Sequence, residues 1–211
     1  MKRLNLTLCA LACALALSAC GRGASSAPAS TAAPEPTASA EPSALPDTPE
    51  DAAPGVGDMM DMAAPDEELA NTVALIYAEK PVELMMGETM AVNLTNADWL
   101  TYNVGLTTEQ AAALDAAVIS ESMTGSQAYS RAALRVKPGE DPAALAQTIL
   151  DTVDPAKWIC VMADKVRCNV YGDVIVFCMS DSNLVDADAM MDAATAVLGA
   201  PDTTLTRDAA Q

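Results

Sequence analysis

From residue 66 onward, apolar and polar positions follow two different periods. Leu69, Val73 and Ile76 recur at helical spacing behind Asp66, Glu67 and Glu68, which predicts a capped helix over 67–79, ending before Pro81. The next stretch is less regular. Val82, Leu84 and Met86, then Met90, Val92 and Leu94, alternate as two short strands around Gly87-Glu88. Thr95 or Asn96 caps a short helix that carries Trp99, Leu100 and Tyr102 and closes at Gly105. Thr108 with Gln110 then opens a brief turn toward Leu114.

Strands are predicted over 117–123 and 127–136, flanking Thr124-Gly125-Ser126. In the second, Gln127, Tyr129, Arg131, Ala133 and Arg135 alternate with Ala128, Ser130, Ala132, Leu134 and Val136, so one face is expected to be wet and the other core. Asp141-Pro142 opens a helix with Leu145, Ile149 and Val153 on one side, stopping before Pro155. The clearest hairpin follows, 165–171 and 174–180, turned by Gly172-Asp173. A two-residue turn pairs Tyr171 with Val174, hence Cys168 with Phe177 and Arg167 with Cys178, so the two cysteines point to opposite faces. A last helix is predicted over 184–198, capped by Asp181 or Ser182 and closed by Gly199 and Pro201, leaving 202–211 as a tail. From residue 117 the order strand, strand, helix occurs twice. It predicts an α+β domain over 66–201, with a mostly antiparallel sheet of about four strands and helices packed on one face.

The first 65 residues have another character. Lys2 and Arg3 precede an apolar run from Leu8 to Leu17, and small residues lead to Cys20, which is a secretory signal pattern. The run is too short to span a bilayer, which takes about 20 apolar residues. Residues 21–65 contain Pro28, Pro34, Pro36, Pro42, Pro46, Pro49, Pro54 and Pro65, much Ala, Ser and Thr, and no aromatic residue. Such a segment buries too little apolar surface to offset chain entropy, so it is expected to be a disordered spacer. Its reach is roughly 40 Å as a coil and up to about 140 Å as polyproline II.

Leu17-Ser18-Ala19-Cys20-Gly21 resembles the lipobox of bacterial lipoproteins. The resemblance implies that segment 1–19 is removed as a signal peptide, that the Cys20 sulfur carries a diacylglyceryl group and that the new amine is open to acylation. The plainer alternative is an ordinary signal peptide with a chance cysteine, as Cys9 and Cys13 are. Two or more acyl chains give durable anchoring where one gives only marginal binding. The implied location is the cell membrane, facing the extracytoplasmic side, with the lipid bilayer as partner through acylated Cys20. In addition, Asn93-Leu94-Thr95-Asn96-Ala97-Asp98, Asp154-Pro155-Ala156-Lys157-Trp158-Ile159-Cys160 and Tyr171-Gly172-Asp173-Val174 resemble stretches in uncharacterised lipoproteins of anaerobic, largely gut-dwelling Gram-positive bacteria. That resemblance implies no activity.

Charge and composition narrow the chemistry. The chain of 211 residues has a net charge of −18, and Lys2 and Arg3, two of its 11 basic residues, would leave with the signal. No basic residue lies between Arg22 and Lys80. Nucleic acid is therefore not an expected partner, since phosphate binding relies on clustered Lys and Arg, and anionic headgroups would be repelled. Histidine is absent. Its absence removes Ser-His-Asp and Cys-His catalysis and His-containing zinc sites, but leaves carboxylate-only and Ser-Lys chemistry open.

Of the residues that carry chemistry, Cys160, Cys168 and Cys178 fall in the domain, an odd number with no Cys-x-x-Cys. Cys168 is expected in the core. Cys160 and Cys178 are the candidates for thiol chemistry, Cys178 because Arg167 opposite would favour a thiolate. Asp181, Asn183, Asp186 and Asp188 superficially resemble a calcium loop, but Val185 occupies a ligand position and no Gly follows it. Met59, Met60 and Met62 cluster thioethers without a His or Cys nearby. No metal or cofactor is expected. Trp99 and Trp158 are candidates for a surface that binds an envelope protein or glycan, or else for core anchors. The expectation is a membrane-anchored extracytoplasmic lipoprotein acting as a non-enzymatic binding or envelope-assembly module. The alternative is an atypical envelope enzyme using carboxylate or cysteine chemistry.

Overall fold

A computed structural model describes residues 63–209; the signal segment, Cys20, the spacer through residue 62 and its methionine cluster lie outside them. Helix α1 (Glu67–Glu79) begins where expected, because the Asp66 carboxylate accepts a hydrogen bond from the Leu69 amide at 3.0 Å. Its apolar stripe of Leu69, Val73 and Ile76 is buried. Helix α2 (Ala97–Val104) is capped by Asn96 and closed by Gly105, whose φ of 70° is the left-handed conformation that ends helices cheaply only in glycine. Thr107 and Gln110 form a reciprocal capping box on the four-residue α3 (Thr108–Ala111). Helix α4 (Pro142–Thr152) starts on the Asp141 cap with proline at its first position.

Six strands make one antiparallel sheet: β1 (Met90–Ala91), β2 (Leu114–Glu121), β3 (Tyr129–Val136), β4 (Lys165–Tyr171), β5 (Val174–Ser180) and β6 (Thr203–Asp208), in the order β1-β2-β3-β5-β4-β6. The α+β class and the antiparallel pairing agree with the sequence pattern. The β4–β5 hairpin has the expected register, with Tyr171 opposite Val174, Cys168 opposite Phe177 and Arg167 opposite Cys178.

Four expectations are corrected. The sheet has six strands, not four, because Met90–Ala91 pairs with β2 and because Thr203–Asp208, read as tail, runs along β4 from Val170–Thr203 to Lys165–Asp208. Residues 82–94 do not form two strands. Beyond Met90–Ala91 they contribute one isolated bridge between Met86 and Ser122, flanked by the Met123 amide on the Met85 carbonyl and the Gly87 amide on the Glu121 carbonyl. The last helix, α5 (Ala187–Leu198), starts three residues later than expected on Asp186, whose carboxylate accepts from Asp188 and Ala189; Asp181 instead holds the preceding turn through the Asn183 amide.

The fourth correction concerns layers. Helices cover both sheet faces, not one. On one face α2 and α4 pack Trp99, Leu100, Leu145 and Ile149 against Ile119, Leu134, Cys168 and Phe177. On the other, α1 packs Leu69 and Val73 on Val118 and Ala133, while α5 packs Met190 and Ala194 near Tyr129, Val176 and Cys178. The face of β3 expected to be wet is consequently buried, and both Tyr129 and Arg131 are 0% exposed.

The β2 ladder is irregular between Leu114 and Ala116. This bulge sets Asp115 beside Arg135 (3.4 Å), which also holds Asp66 (2.8 and 2.9 Å) and Glu68 (3.0 Å). Arg135 thus fastens the first turn of α1 to the sheet at the point where the chain enters the domain. Hydrogen bonding from its guanidinium lowers the Asp66 pKa to about 2. The unfolded carboxyl titrates near about 3.9. A depressed folded pKa contributes stability that is complete above the unfolded value and is lost as pH falls through the folded one. Melting temperature is therefore expected to fall between pH 4 and pH 2, and to fall less in Asp66→Asn, which starts from a lower value; an identical acid profile in the variant would contradict the role of this clamp.

Candidate functional site

Helix α5 covers β5 and β4 and leaves the inner side of the edge strand β6 open. Along that open margin, two cross-strand pairs direct polar side chains to the α5 side, Arg167 with Thr206 and Asn169 with Thr204. The facing wall is a single helical stripe, because Asp188, Met191, Asp192 and Thr195 recur at the i, i+3, i+4, i+7 spacing. With Pro201 at one end, these residues enclose a cleft of about 190 Å³.

Its polar groups hold one another in fixed positions. The Arg167 guanidinium pairs with Asp188 through Nε and, from Nη2, at 3.3 Å; Nη1 donates to Asp208 at 2.6 Å and to the Val166 carbonyl at 3.0 Å. Lys165 adds a contact to Asp188 at 2.6 Å. Hydrogen bonds from Arg167 and then Lys165 lower the Asp188 pKa to about 2, so this carboxylate stays ionised at neutral pH. Deeper in the wall, Asn169 Nδ2 donates to Tyr171 Oη (3.0 Å), Tyr171 lies 3.2 Å from Thr195 Oγ1, and Thr195 donates to the Met191 carbonyl. That last bond orients the relay, so the Tyr171 hydroxyl donates to Thr195. Asn169, only 4% exposed, keeps a buried Oδ1 with no partner.

A second polar cluster lies on the other side of the sheet. The Lys157 side chain is 2% exposed; its ammonium pairs with Glu121, sits 3.4 Å from Ser130 Oγ and stands over the rings of Tyr102 (4.7 Å) and Trp158 (5.2 Å). Burial lowers the Lys157 pKa, with Glu121 opposing the shift. Ser130 is fully buried, so this Ser-Lys juxtaposition presents no accessible hydroxyl. It acts as a peg that fastens the 154–164 loop to β2 and β3.

The tryptophans and cysteines separate. Trp99 is 8% exposed and belongs to the core with α2, while Trp158 is half-buried against the same core through the 154–164 loop. Cys168 and Cys178 are buried on opposite sheet faces and Cys160 is exposed. Burial pushes the Cys168 thiol up to about 12. It also raises Cys178, outweighing Arg131 and Arg167, which corrects the expectation that Arg167 would favour a thiolate there. Asp181, Asn183, Asp186 and Asp188 serve as turn and helix caps and ion-pair partners.

The cleft was not anticipated from the sequence. Its traces are the alternating Thr204 and Thr206, in the segment expected to be a tail, and the mixed polar and apolar stripe on α5, neither of which differs from ordinary solvated surface. In comparisons with known proteins, the chain matches no family model, no curated protein and no solved structure.

Proposed function

We propose that this protein is an extracytoplasmic lipoprotein whose folded domain is a non-enzymatic binding module, held at the membrane by acylated Cys20 and carried on the 21–65 spacer. The anchor rests on Leu17-Ser18-Ala19-Cys20 behind a basic and then apolar N-terminus. Recognition rests on one observation above the others: the polar groups of the α5–β6 cleft are pre-positioned by ion pairs and a hydrogen-bond relay, so a ligand meets groups already ordered and the entropic cost of binding is small. Arg135 supports the same reading, since it ties the start of the domain to the sheet where the spacer arrives. The alternative is an atypical envelope enzyme using carboxylate or cysteine chemistry; its thiol version through Cys178 is opposed by the burial of that residue, which leaves the exposed Cys160 as the thiol candidate.

Crosslinking in intact producing cells, followed by recovery of the protein, tests this reading. Wild type is expected to recover an envelope protein or glycan, and Cys20→Ala is expected to recover much less of it, because the untethered domain is diluted away from the membrane. Equal recovery by both forms would overturn the tethered reading. Turnover of a recovered partner by the purified protein would overturn the non-enzymatic one.

A further inference from the structure

We propose that the α5–β6 cleft binds a single uncharged sugar ring, an inference that rests on the binding-module reading and names its ligand class. The volume, about 190 Å³, lies below the about 300–1,000 Å³ of sites for drug-sized ligands, so the cleft admits one small unit or the end of a chain. The available hydrogen-bonding groups call for hydroxyls. Asn169 Oδ1 is a buried acceptor without a donor, and an unmade hydrogen bond at such a site favours any ligand that supplies one. A hydroxyl that donates to Oδ1 still accepts from a threonine hydroxyl, whereas an ammonium only donates. Thr204 and Thr206, both exposed on β6, add hydroxyls along the rim.

Charge selects against anions. The Arg167 guanidinium lines the cleft, but its pairing with Asp188 and Asp208 leaves little attraction for an anion. Asp192 on the outer wall disfavours an anion further. Met191 and Pro201 supply apolar surface for the C–H face of a ring. A neutral ligand with several hydroxyls and one apolar face fits all of these groups together.

The test is amide NMR of the mature chain carrying Cys20→Ala, titrated separately with glucose, N-acetylglucosamine, putrescine and inorganic phosphate. The expected result is saturable shifts from at least one of the two sugars at Thr195, Thr204 and Thr206, with apparent affinity reduced about two- to tenfold in Thr206→Val, which keeps the β-branched shape and removes the hydroxyl. The strand register in Thr206→Val is checked from the remaining amides. Shifts in the cleft from putrescine or phosphate but from neither sugar would overturn the sugar assignment and leave a binding module standing. Sugar-induced shifts confined to other surfaces, or equal affinity in a correctly paired Thr206→Val, would overturn the cleft as their site. No shift from any of the four probes would overturn the inference, and whether the broader reading fell with it would be read from the crosslinking experiment.

Discussion

Gly105→Ala is expected to destabilise the domain by about 2–5 kcal/mol, much of the 5–15 kcal/mol typical of a folded domain. Two costs combine. Gly105 ends α2 with φ at 70°, and a Cβ in left-handed backbone costs about 1–2 kcal/mol. The same Cβ would lie 2.5 Å from the Val153 amide nitrogen and 2.8 Å from the Thr152 carbonyl carbon, so α2 and the end of α4 would have to separate. Overpacking of this kind adds about 1–3 kcal/mol. Gly172→Ala is the control, because its φ is also positive, at 63°, but nothing lies within 4 Å of its Cβ position. It should lose only the backbone part. Denaturant midpoints at unchanged slope measure both; equal losses in the two variants would show that the approach of α2 to α4 is not the constraint described.

The second large effect concerns Arg131. It is 0% exposed, donates from Nη2 to the Met190 carbonyl at 3.2 Å, stands 5.5 Å from the centroid of the Tyr77 ring, and leaves Nε and Nη1 without partners. Arg131→Ala would open a cavity under α1 and α5, and by analogy with large-to-small core substitutions it should cost about 3–5 kcal/mol. Arg131→Met keeps most of the volume and removes a charge that has no carboxylate partner among the salt bridges of the described residues. Replacing buried charged groups by apolar ones of similar volume is often neutral or stabilising, so Arg131→Met is expected to match or exceed wild type in chemical denaturation. If Met were as damaging as Ala, the hydrogen bond of the guanidinium to the Met190 carbonyl, and not its bulk, would be what this layer needs.

Arg131 also shows where local pattern stops being informative. The alternation of residues 127–136 is real, but whether a face is wet depends on α1 and α5, which lie far along the chain and come to rest on it. The same alternation looks identical under a helix or under water until tertiary packing is known. Features set by neighbours in sequence were legible. Asp66 followed by Leu69, Val73 and Ile76 predicts α1 to the residue, Asp141-Pro142 marks the start of α4, and Gly172-Asp173 sets the register of β4 with β5. Strand β6 was hidden because an edge strand pairs on one side only, and Thr203-Thr204-Leu205-Thr206 carries a single apolar residue to announce it. The cleft depended on β6, so it was hidden too. Asp188 and Asp192 lie on the exposed side of α5, and only the return of the chain along β4 turns that surface into a wall. Trp99 illustrates the converse, a residue whose chemistry invites recognition but whose place on α2 puts it in the core.

The proposed membrane anchor stands apart from these packing effects, because it would depend on a covalent event at one residue and on no contact within the domain. Intact-mass and N-terminal peptide measurement of the protein extracted from the membranes of its producing cells tests it most directly. The account predicts a mature chain beginning at Cys20, with a diacylglyceryl group on sulfur and the modified mass absent from Cys20→Ala. A mature chain that begins elsewhere, or begins at an unmodified Cys20, would contradict it.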